Sequence, residues 1–144
     1  MQGLITRITD SFSRQPAMQL LGAEIGRVET GFTEIVLPFD IKLTQQHGFI
    51  HGGVIGAVLD SACGYAALTT IPEDAGVLTI EYKVNLLAPA KGDHFRFEGR
   101  VVKPGRTIVV SDGAGYAVQG GDEKRIATMT ATLMAVHGRD DVKD

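Results

Sequence analysis

At 144 residues, with 44% hydrophobic and 22% charged residues, the chain has the length and composition of one globular domain, which we expect to span residues 1–144. The formal net charge of -3 gives no reason to expect a nucleic acid or an anionic membrane as a partner. Cys63 is the only cysteine, which excludes an internal disulfide and a cysteine-based zinc finger and is typical of a reducing cytoplasm. No stretch resembles a signal peptide or the run of about 20 apolar residues that spans a bilayer, so we expect a soluble cytoplasmic protein.

The first half of the chain predicts two helices with two strands between them. Apolar residues recur at helical spacing over about residues 3–13, which predicts a short amphipathic helix that ends before Pro16. Two alternating segments separated by the turn residues Glu29-Thr30-Gly31 predict strands, at 23–28 and 32–40. The segment from about Gly53 to Thr70 is apolar on nearly all sides, which predicts a buried helix. Its many small residues would let a sheet curl closely around it.

The second half alternates between apolar and polar residues. The pattern predicts four strands, near residues 77–87, 94–101, 106–118 and 125–137. In the first of them we expect one apolar face and one polar face, formed respectively by Leu78, Ile80, Tyr82, Val84 and Leu86 and by Thr79, Glu81, Lys83 and Asn85. The glycines of "SDGAGYA" indicate a bulge or a close backbone approach. The whole pattern predicts an α+β fold, a long central helix wrapped by a curved antiparallel sheet of five to six strands.

The stretch "QQHGFIHGGVIGAVLD" and the segments that follow it contain a spaced set of residues: Gln45, His51-Gly52-Gly53, Asp60, Thr79, "LLAPA" and "KPGRT". In this spacing and in the order of its elements, the chain resembles the hotdog fold over about residues 18–137, and more narrowly the acyl-CoA thioesterases of the phenylacetate-pathway and 4-hydroxybenzoyl-CoA type. The resemblance implies an acyl-CoA substrate, site residues Gln45, Gly52, Asp60 and Thr79, and dimers with shared sites that often pair into tetramers. Coenzyme A would enter as part of the substrate, with no separate cofactor.

The same residues fit this chemistry on physical grounds. Gly52 and Gly53 stand at the start of a predicted helix, where backbone N–H groups lack intrahelical partners and can stabilise a developing oxyanion. Apolar surroundings should raise the pKa of Asp60, as suits a general base or a carboxylate nucleophile. The alternative is a structural carboxylate on a thin polar seam. For His51 we expect a role in orienting the Gly52 peptide, without proton transfer.

Helix geometry decides the expected assembly. Gly52 and Asp60 lie eight residues apart, which corresponds to ~12 Å along a helix axis. A reacting carbonyl cannot lie within ~3 Å of both groups in one chain. We therefore expect the Gly52 N–H to meet the Asp60 carboxylate of a second copy, in a homodimer whose two-fold axis repeats the site twice.

Further residues complete the expected substrate path. We expect the acyl pocket to lie between the helix and its dimer mate, lined by Phe49, Ile50, Val54 and Tyr65. The tight turn in "VVKPGRT" carries Lys103, Gly105 and Arg106, and the resemblance implies that this hairpin holds the nucleotide end of coenzyme A. An ordinary solvated turn is the alternative. Aromatic and medium-chain acyl groups both remain open.

Three other functions fit parts of the pattern. Hotdog hydratases and dehydratases also act on acyl thioesters, but their HFPG-type motif is absent. A non-catalytic module that binds acyl-CoA is a second alternative. His47 and His51 with Asp60 could suggest a metal site, but Gly48 breaks helical continuity between the histidines, and we expect no metal.

Overall fold

The computed structural model describes residues 1–144 and contains one six-stranded antiparallel sheet that wraps a long helix. The helices are α1 Gln2–Ser13, α2 Pro16–Leu21 and α3 Gly52–Leu68, with a short 3-10 helix at Ile41–Leu43. The strands are β1 Glu24–Glu29, β2 Phe32–Pro38, β3 Ala75–Leu86, β4 His94–Lys103, β5 Ile108–Gln119 and β6 Asp122–His137, in the sheet order β1-β2-β4-β5-β6-β3. This confirms the predicted α+β hotdog fold, whereas α2 and the 3-10 helix were not predicted. None of the helices combines the length and apolar character needed to cross a bilayer.

Main-chain contacts hold α3 against the centre of the sheet. A Cβ atom on Gly99 of β4 would lie 2.1 Å from the Ala62 carbonyl oxygen, so only glycine allows the strand to come this close. The Thr33 hydroxyl of β2 donates to the same carbonyl at 2.7 Å, and the Ser111 hydroxyl of β5 donates to the Cys63 carbonyl at 3.2 Å. The middle of α3 is thereby fixed in height and rotation above three neighbouring strands.

One side of α3 stays partly exposed, contrary to the expectation of burial all round. Apart from Gly52 and Val54 in the first turn, the partly or fully exposed positions recur at helical spacing, at Gly53, Ala57, Asp60, Ser61 and Gly64. The sheet curls around the other sides of the helix, which bury its larger residues, whereas this stripe is covered only in part, by Gln15 beside Ser61 and by Thr79 beside Asp60. Asp60 therefore lies on the open side of α3.

A bulge in β3 changes which residues face α3. The β3–β6 register shifts between Thr79 and Glu81, so that Ile80 is the extra residue. Thr79 pairs with the buried Leu133 and faces the helix, while Leu78 pairs with the exposed Met134 on the outer face. The prediction of one continuous apolar face from Leu78 to Leu86 is therefore wrong, because the extra residue reverses the alternation within the strand.

Arg7 ties the N-terminal helix to the end of α3. Its guanidinium donates to the carbonyl oxygens of four residues at 2.9–3.3 Å: Leu68, Ile71, Pro72 and Ala75. Burial lowers the pKa of Arg7 from its ordinary value, and neighbouring carboxylates oppose that change. The Leu68 carbonyl at the C-terminal end of α3 lacks an intrahelical donor and carries partial negative charge, and the other three carbonyls lie in or just after the loop that follows the helix, so one cation holds the helix end and the loop together.

Replacement of Arg7 should destabilise the fold. We expect Arg7→Met to lower the free energy of unfolding by about 2–4 kcal/mol, because several charge-assisted hydrogen bonds are lost together. Urea denaturation measures this. The matched control is Arg139→Met, since Arg139 pairs only with Asp141 at the surface and its replacement should leave the free energy of unfolding almost unchanged. Equal effects of the two substitutions would contradict the capping role.

Candidate active site

Gln45 shapes the loop that leads into α3. Its side-chain oxygen accepts hydrogen bonds from the backbone N–H groups of His47 (2.6 Å) and Phe49 (3.3 Å). The backbone N–H of Gln45 donates to the Phe49 carbonyl oxygen at 2.9 Å. Because both donors point at the oxygen, the orientation of the amide is fixed, and its NH2 group has no partner within the chain.

His51 is the N-cap of α3. Its Nδ1 accepts a hydrogen bond from the Gly53 N–H at 2.8 Å, so the neutral ring carries its proton on Nε2. The cap engages the Gly53 peptide, where we expected His51 to orient the Gly52 peptide. The Gly53 N–H is therefore occupied, whereas the Gly52 N–H has no acceptor within the chain. At the positive end of a helix, Gly52 offers a free donor for an anionic oxygen.

Gly52 opens onto a largely apolar pocket of about 510 Å³. A Cβ atom on Gly52 would lie 2.6 Å from Cδ1 of Leu86, the flexible end of a side chain. Glycine keeps the free N–H accessible beside that leucine. The other lining residues come from the loop, from α3 and from the chain after β3: Gln45, Phe49, Ile50, Ile55, Leu87, Ala88, Pro89, Ala90 and Ile126.

Asp60 lies two turns further along α3. One of its oxygens accepts a hydrogen bond from the Thr79 hydroxyl at 2.8 Å, and the other has no partner within the chain. Burial raises the pKa of Asp60 from its ordinary value, and the hydrogen bond from Thr79 opposes this change. The arrangement leaves one carboxylate oxygen of raised basicity free to act. Thr79 reaches it only because the bulge in β3 turns the threonine toward the helix.

Asp60 faces a different pocket from Gly52. This pocket of about 350 Å³ is mostly polar, and α1, the α1–α2 junction, α3 and β3 form its walls. Its lining residues are Ser11, Arg14, Gln15, Pro16, Asp60, Ser61, Gly64, Tyr65, Leu68, Val77, Thr79 and Asp144. Within one chain, therefore, the free N–H and the basic carboxylate do not share a cavity.

The predicted site residues fall into these two groups. Gln45, Phe49 and Ile50 line the Gly52 pocket, Thr79 and Tyr65 line the Asp60 pocket, and Val54 lines neither. The sequence analysis missed the wall contributed by α1. The sequence does contain a weak indication that α1 contributes to a pocket. Ser11 is a polar residue on the apolar side of the helix, between Ile8 and Phe12, and the structure buries all three.

The hairpin after β4 lies at the far end of α3 from Gly52. Gly105 and Arg106 line a third pocket, of about 640 Å³, together with Thr70, Ile71 and Pro72, whereas Lys103 does not line it. A Cβ atom on Gly105 would lie 2.1 Å from the Ile108 carbonyl oxygen, so the turn requires glycine. Neither Lys103 nor Arg106 forms an ion pair within the chain.

Two other kinds of chemistry have no suitable groups here. No three His, Cys, Asp or Glu side chains converge so as to hold a metal ion. Cys63 lies on the buried side of α3, and burial raises the pKa of its thiol to about 12, so it is not a thiolate nucleophile at neutral pH.

Comparisons with known proteins identify the family. The thioesterase superfamily model matches residues 47–124, more than half of the chain. A thioesterase family protein from Silicibacter pomeroyi is 53% identical, with a TM-score of 0.92 over 94% of this chain and 99% of that chain. The E. coli PaaI protein from the phenylacetic acid degradation operon is 18% identical and shares the fold, with a TM-score of 0.82 over 94% of each chain.

A relative with a named activity is also similar to this chain. The medium/long-chain acyl-CoA thioesterase YigI of Salmonella typhimurium is 29% identical over 135 residues, which cover 83% of this chain and 84% of the relative. Together with the family match and the hotdog architecture, these findings show that the chain belongs to the thioesterase superfamily and is a hydrolase that acts on thioesters.

Proposed function

We propose that the protein hydrolyses aromatic or medium-chain acyl-CoA to the free acid and coenzyme A, in two sites shared across a homodimer. The observation that carries the proposal is the distribution of reactive groups: a free N–H at Gly52 and a basic carboxylate at Asp60 lie in separate pockets of one chain. Two copies related by a two-fold axis bring each pocket against its complement. The similarity to YigI supports an acyl-CoA substrate.

In the proposed reaction the substrate carbonyl oxygen accepts from the Gly52 N–H, and the free NH2 group of Gln45 helps to hold it. Asp60 of the other chain takes a proton from water, whose oxygen bonds to the carbonyl carbon. Collapse of the adduct breaks the C–S bond, and the departing thiolate takes the proton. Alternatively, the Asp60 carboxylate attacks the carbon directly and the C–S bond breaks to release the thiolate; water then hydrolyses the resulting anhydride, which frees the acid and the Asp60 carboxylate, and the thiolate takes up the released proton. Thr79 positions the carboxylate in both routes, and neither requires a separate cofactor.

The two edges of the sheet support dimerisation through β3. Edge β1 has only six residues, contains a bulge and carries charged side chains, all of which discourage pairing with another strand. Edge β3 has twelve residues and leaves large apolar side chains exposed, with Leu78 at 47%, Ile80 at 52% and Leu86 at 56%. A long apolar edge is a hazard unless another strand covers it. Antiparallel pairing of two β3 strands would satisfy the unpaired backbone groups of this edge and cover its apolar side chains. The exposed stripe of α3 would be covered in the same contact.

The hairpin at Lys103, Gly105 and Arg106 is proposed to bind the nucleotide end of coenzyme A. Its two cations are exposed and unpaired, and Arg106 borders a large pocket, as suits contact with phosphate groups. Pairing of such dimers into tetramers remains part of the same proposal.

Asp60→Asn tests the base. We expect kcat to fall by ~10²–10⁴, with the fold intact. In the wild type, the activity should fall on the acid side at a pH above the ordinary Asp value of 3.8, because burial raises the pKa and the protonated acid cannot act. A pH–rate profile measures both. Near-normal turnover by the variant would remove Asp60 from the mechanism.

The same substitution should raise stability. The raised pKa means that the folded state binds this proton more tightly than the unfolded state, so ionisation of Asp60 destabilises the fold as pH rises through the two pKa values. Thermal unfolding at neutral pH should therefore give Asp60→Asn the higher Tm, with the difference vanishing below the unfolded pKa. A lower Tm at neutral pH would contradict the burial argument.

A matched pair of substitutions at Gly52 tests the donor. Proline at the first helical position fits the backbone, and His51 already has the extended ψ of 136° that precedes proline, so Gly52→Pro deletes the N–H with little strain. Gly52→Ala keeps the N–H and adds a Cβ at the same place. We expect kcat to fall by ~10²–10³ in the proline variant and by much less in the alanine variant. Similar losses in both would indicate a steric effect.

Mixed dimers test whether the site is shared. Co-expression of Asp60→Asn and Gly52→Pro chains with different tags allows purification of the heterodimer. One of its two sites then combines the intact Gly52 of one chain with the intact Asp60 of the other, so activity should return to about half of the wild-type value. Homodimers of each variant, purified through the same two tags, are the controls. Absence of recovery in a verified heterodimer would place both groups in one chain.

A further inference from the structure

The pocket beside Asp60 ends in a polar wall. Ser11 is only 5% exposed, and its hydroxyl donates to Oδ1 of Asp144 at 2.6 Å. The Tyr65 hydroxyl lies 3.3 Å from the same Ser11 oxygen. Because the single proton of Ser11 goes to the carboxylate, Tyr65 donates to Ser11. A relay of two hydroxyl groups thus points at one carboxylate, inside the pocket that also holds Asp60.

Two cations lie near that carboxylate. Arg14 lines the pocket and forms no ion pair or side-chain hydrogen bond within the chain. Arg14 lines the same pocket as Tyr65 and Asp144, and its charge opposes the increase in the pKa of Tyr65 that burial causes. Arg7 lies on the other side, and the charge of Asp144 raises its pKa against the larger effect of burial. The two hydroxyl donors and the nearby cations therefore favour an anionic group at this wall.

The chain itself supplies the carboxylate that occupies the wall. Residues 139–144 belong to no helix or strand, and Asp144 reaches the wall from this segment. The segment crosses β3 at Gly76, where a Cβ atom would lie 2.7 Å from the Val142 carbonyl oxygen. Ser11 is the only side chain that holds Asp144 by a hydrogen bond. A competing carboxylate could therefore displace it while the rest of the fold stays intact.

The direction of the pocket indicates which part of a substrate enters it. Both substituents of the reacting carbonyl carbon start near Asp60, and the pocket runs from there along α3 toward Tyr65, ~7.5 Å further along the axis. α1 forms the wall beside Tyr65, where the Tyr65 and Ser11 hydroxyls meet. The bulky nucleotide must stay in contact with solvent, so the substituent that ends at this wall is the acyl group.

We propose that Ser11, Tyr65 and Arg14 select acyl groups that end in a carboxylate, that is, monothioesters of dicarboxylic acids, which displace Asp144 from the wall. This inference rests on the proposed acyl-CoA hydrolysis for its substrate and on the contacts of Asp144 for its specificity. With Asp144 displaced, a substrate carboxylate at this wall meets the Ser11 and Tyr65 hydroxyls and the Arg14 cation that lines the same pocket.

Acyl-CoA pairs of equal chain length test the selectivity. Each pair has one member that ends in a methyl group and one that ends in a carboxylate, from butanoyl and succinyl to octanoyl and suberoyl. We expect kcat/KM to favour the carboxylate member by about tenfold or more in at least one pair, as one charge-assisted interaction would give. Preference for the methyl member in every pair would overturn the inference.

Variants assign the selectivity to the wall. The ratio of the two kcat/KM values within a pair does not depend on the folded fraction, so it remains valid for a destabilised variant. Ser11→Ala and Arg14→Gln should lower this ratio, and Asp144→Asn should raise it by removing the competing charge. Ser13→Ala is the matched control, because Ser13 lies exposed on the same helix and bonds only to the Asp10 carbonyl. An unchanged ratio in all three wall variants would overturn the assignment.

Binding of free acids separates this inference from the proposed function. Titration with adipate, followed by the backbone amide resonances, should shift residues 11–15 and 142–144 in the wild type, whereas hexanoate should not. If no thioester is hydrolysed but adipate binds at this wall, the proposed function fails and the carboxylate site stands. If methyl-ended acyl-CoA is hydrolysed and adipate leaves these resonances unchanged, the function stands and the site fails.

Discussion

The rigidity of α3 is the constraint on which the rest of the structure depends. The helical segment from Gly52 to Asp60 spans about two turns and cannot fold back on itself, so a donor at the N-terminus of α3 and a carboxylate eight residues later are held apart in every copy of the chain. The contacts of Ala62 and Cys63 with three strands prevent the helix from shifting to shorten that distance. The Gly52 N–H and the Asp60 carboxylate of one chain therefore stay in separate pockets, each oriented by its own contacts.

Two opposing effects set the pKa of the Asp60 carboxyl group. Removal from water raises its proton affinity, and the Thr79 hydroxyl lowers it again while fixing the direction of the lone pairs. A fully buried carboxylate would hold its proton at neutral pH, and a fully exposed one would be a weak base. The uncovered stripe of α3 gives an intermediate environment, which is why the helix has small residues around its single acid.

The sequence predicted the features that depend on local spacing. The positions of Gln45, Gly52 and Asp60 follow from a loop, a helix start and two helical turns, all within sixteen residues of chain. Only the family resemblance placed Thr79 beside Asp60. The strand pattern alone does not reveal that Ile80 is an extra residue, and this extra residue is what lets Thr79 face the helix. The capping partner of His51 depends on an atomic distance that the motif does not specify.

Contacts between distant segments were likewise beyond the sequence. Ser11 and Tyr65 are separated by fifty-four positions, and Ser11 and Asp144 by one hundred and thirty-three. Periodicity in α1 predicts which side is apolar, but it does not show that this side also borders a pocket on α3. The wall of that pocket forms only where α1, α3 and residues 139–144 meet in the folded chain.

The contact of Gly99 with the Ala62 carbonyl has an evolutionary consequence. Because main chain rests on main chain, the height of Asp60 above the sheet is set without any intervening side chain whose size could change. Under the proposed mechanism, substitutions in α1 or in residues 139–144 alter which acyl groups fit, while the reacting atoms stay where they are. A lineage built on this scaffold would then diversify its substrates through peripheral segments and keep its chemistry unchanged.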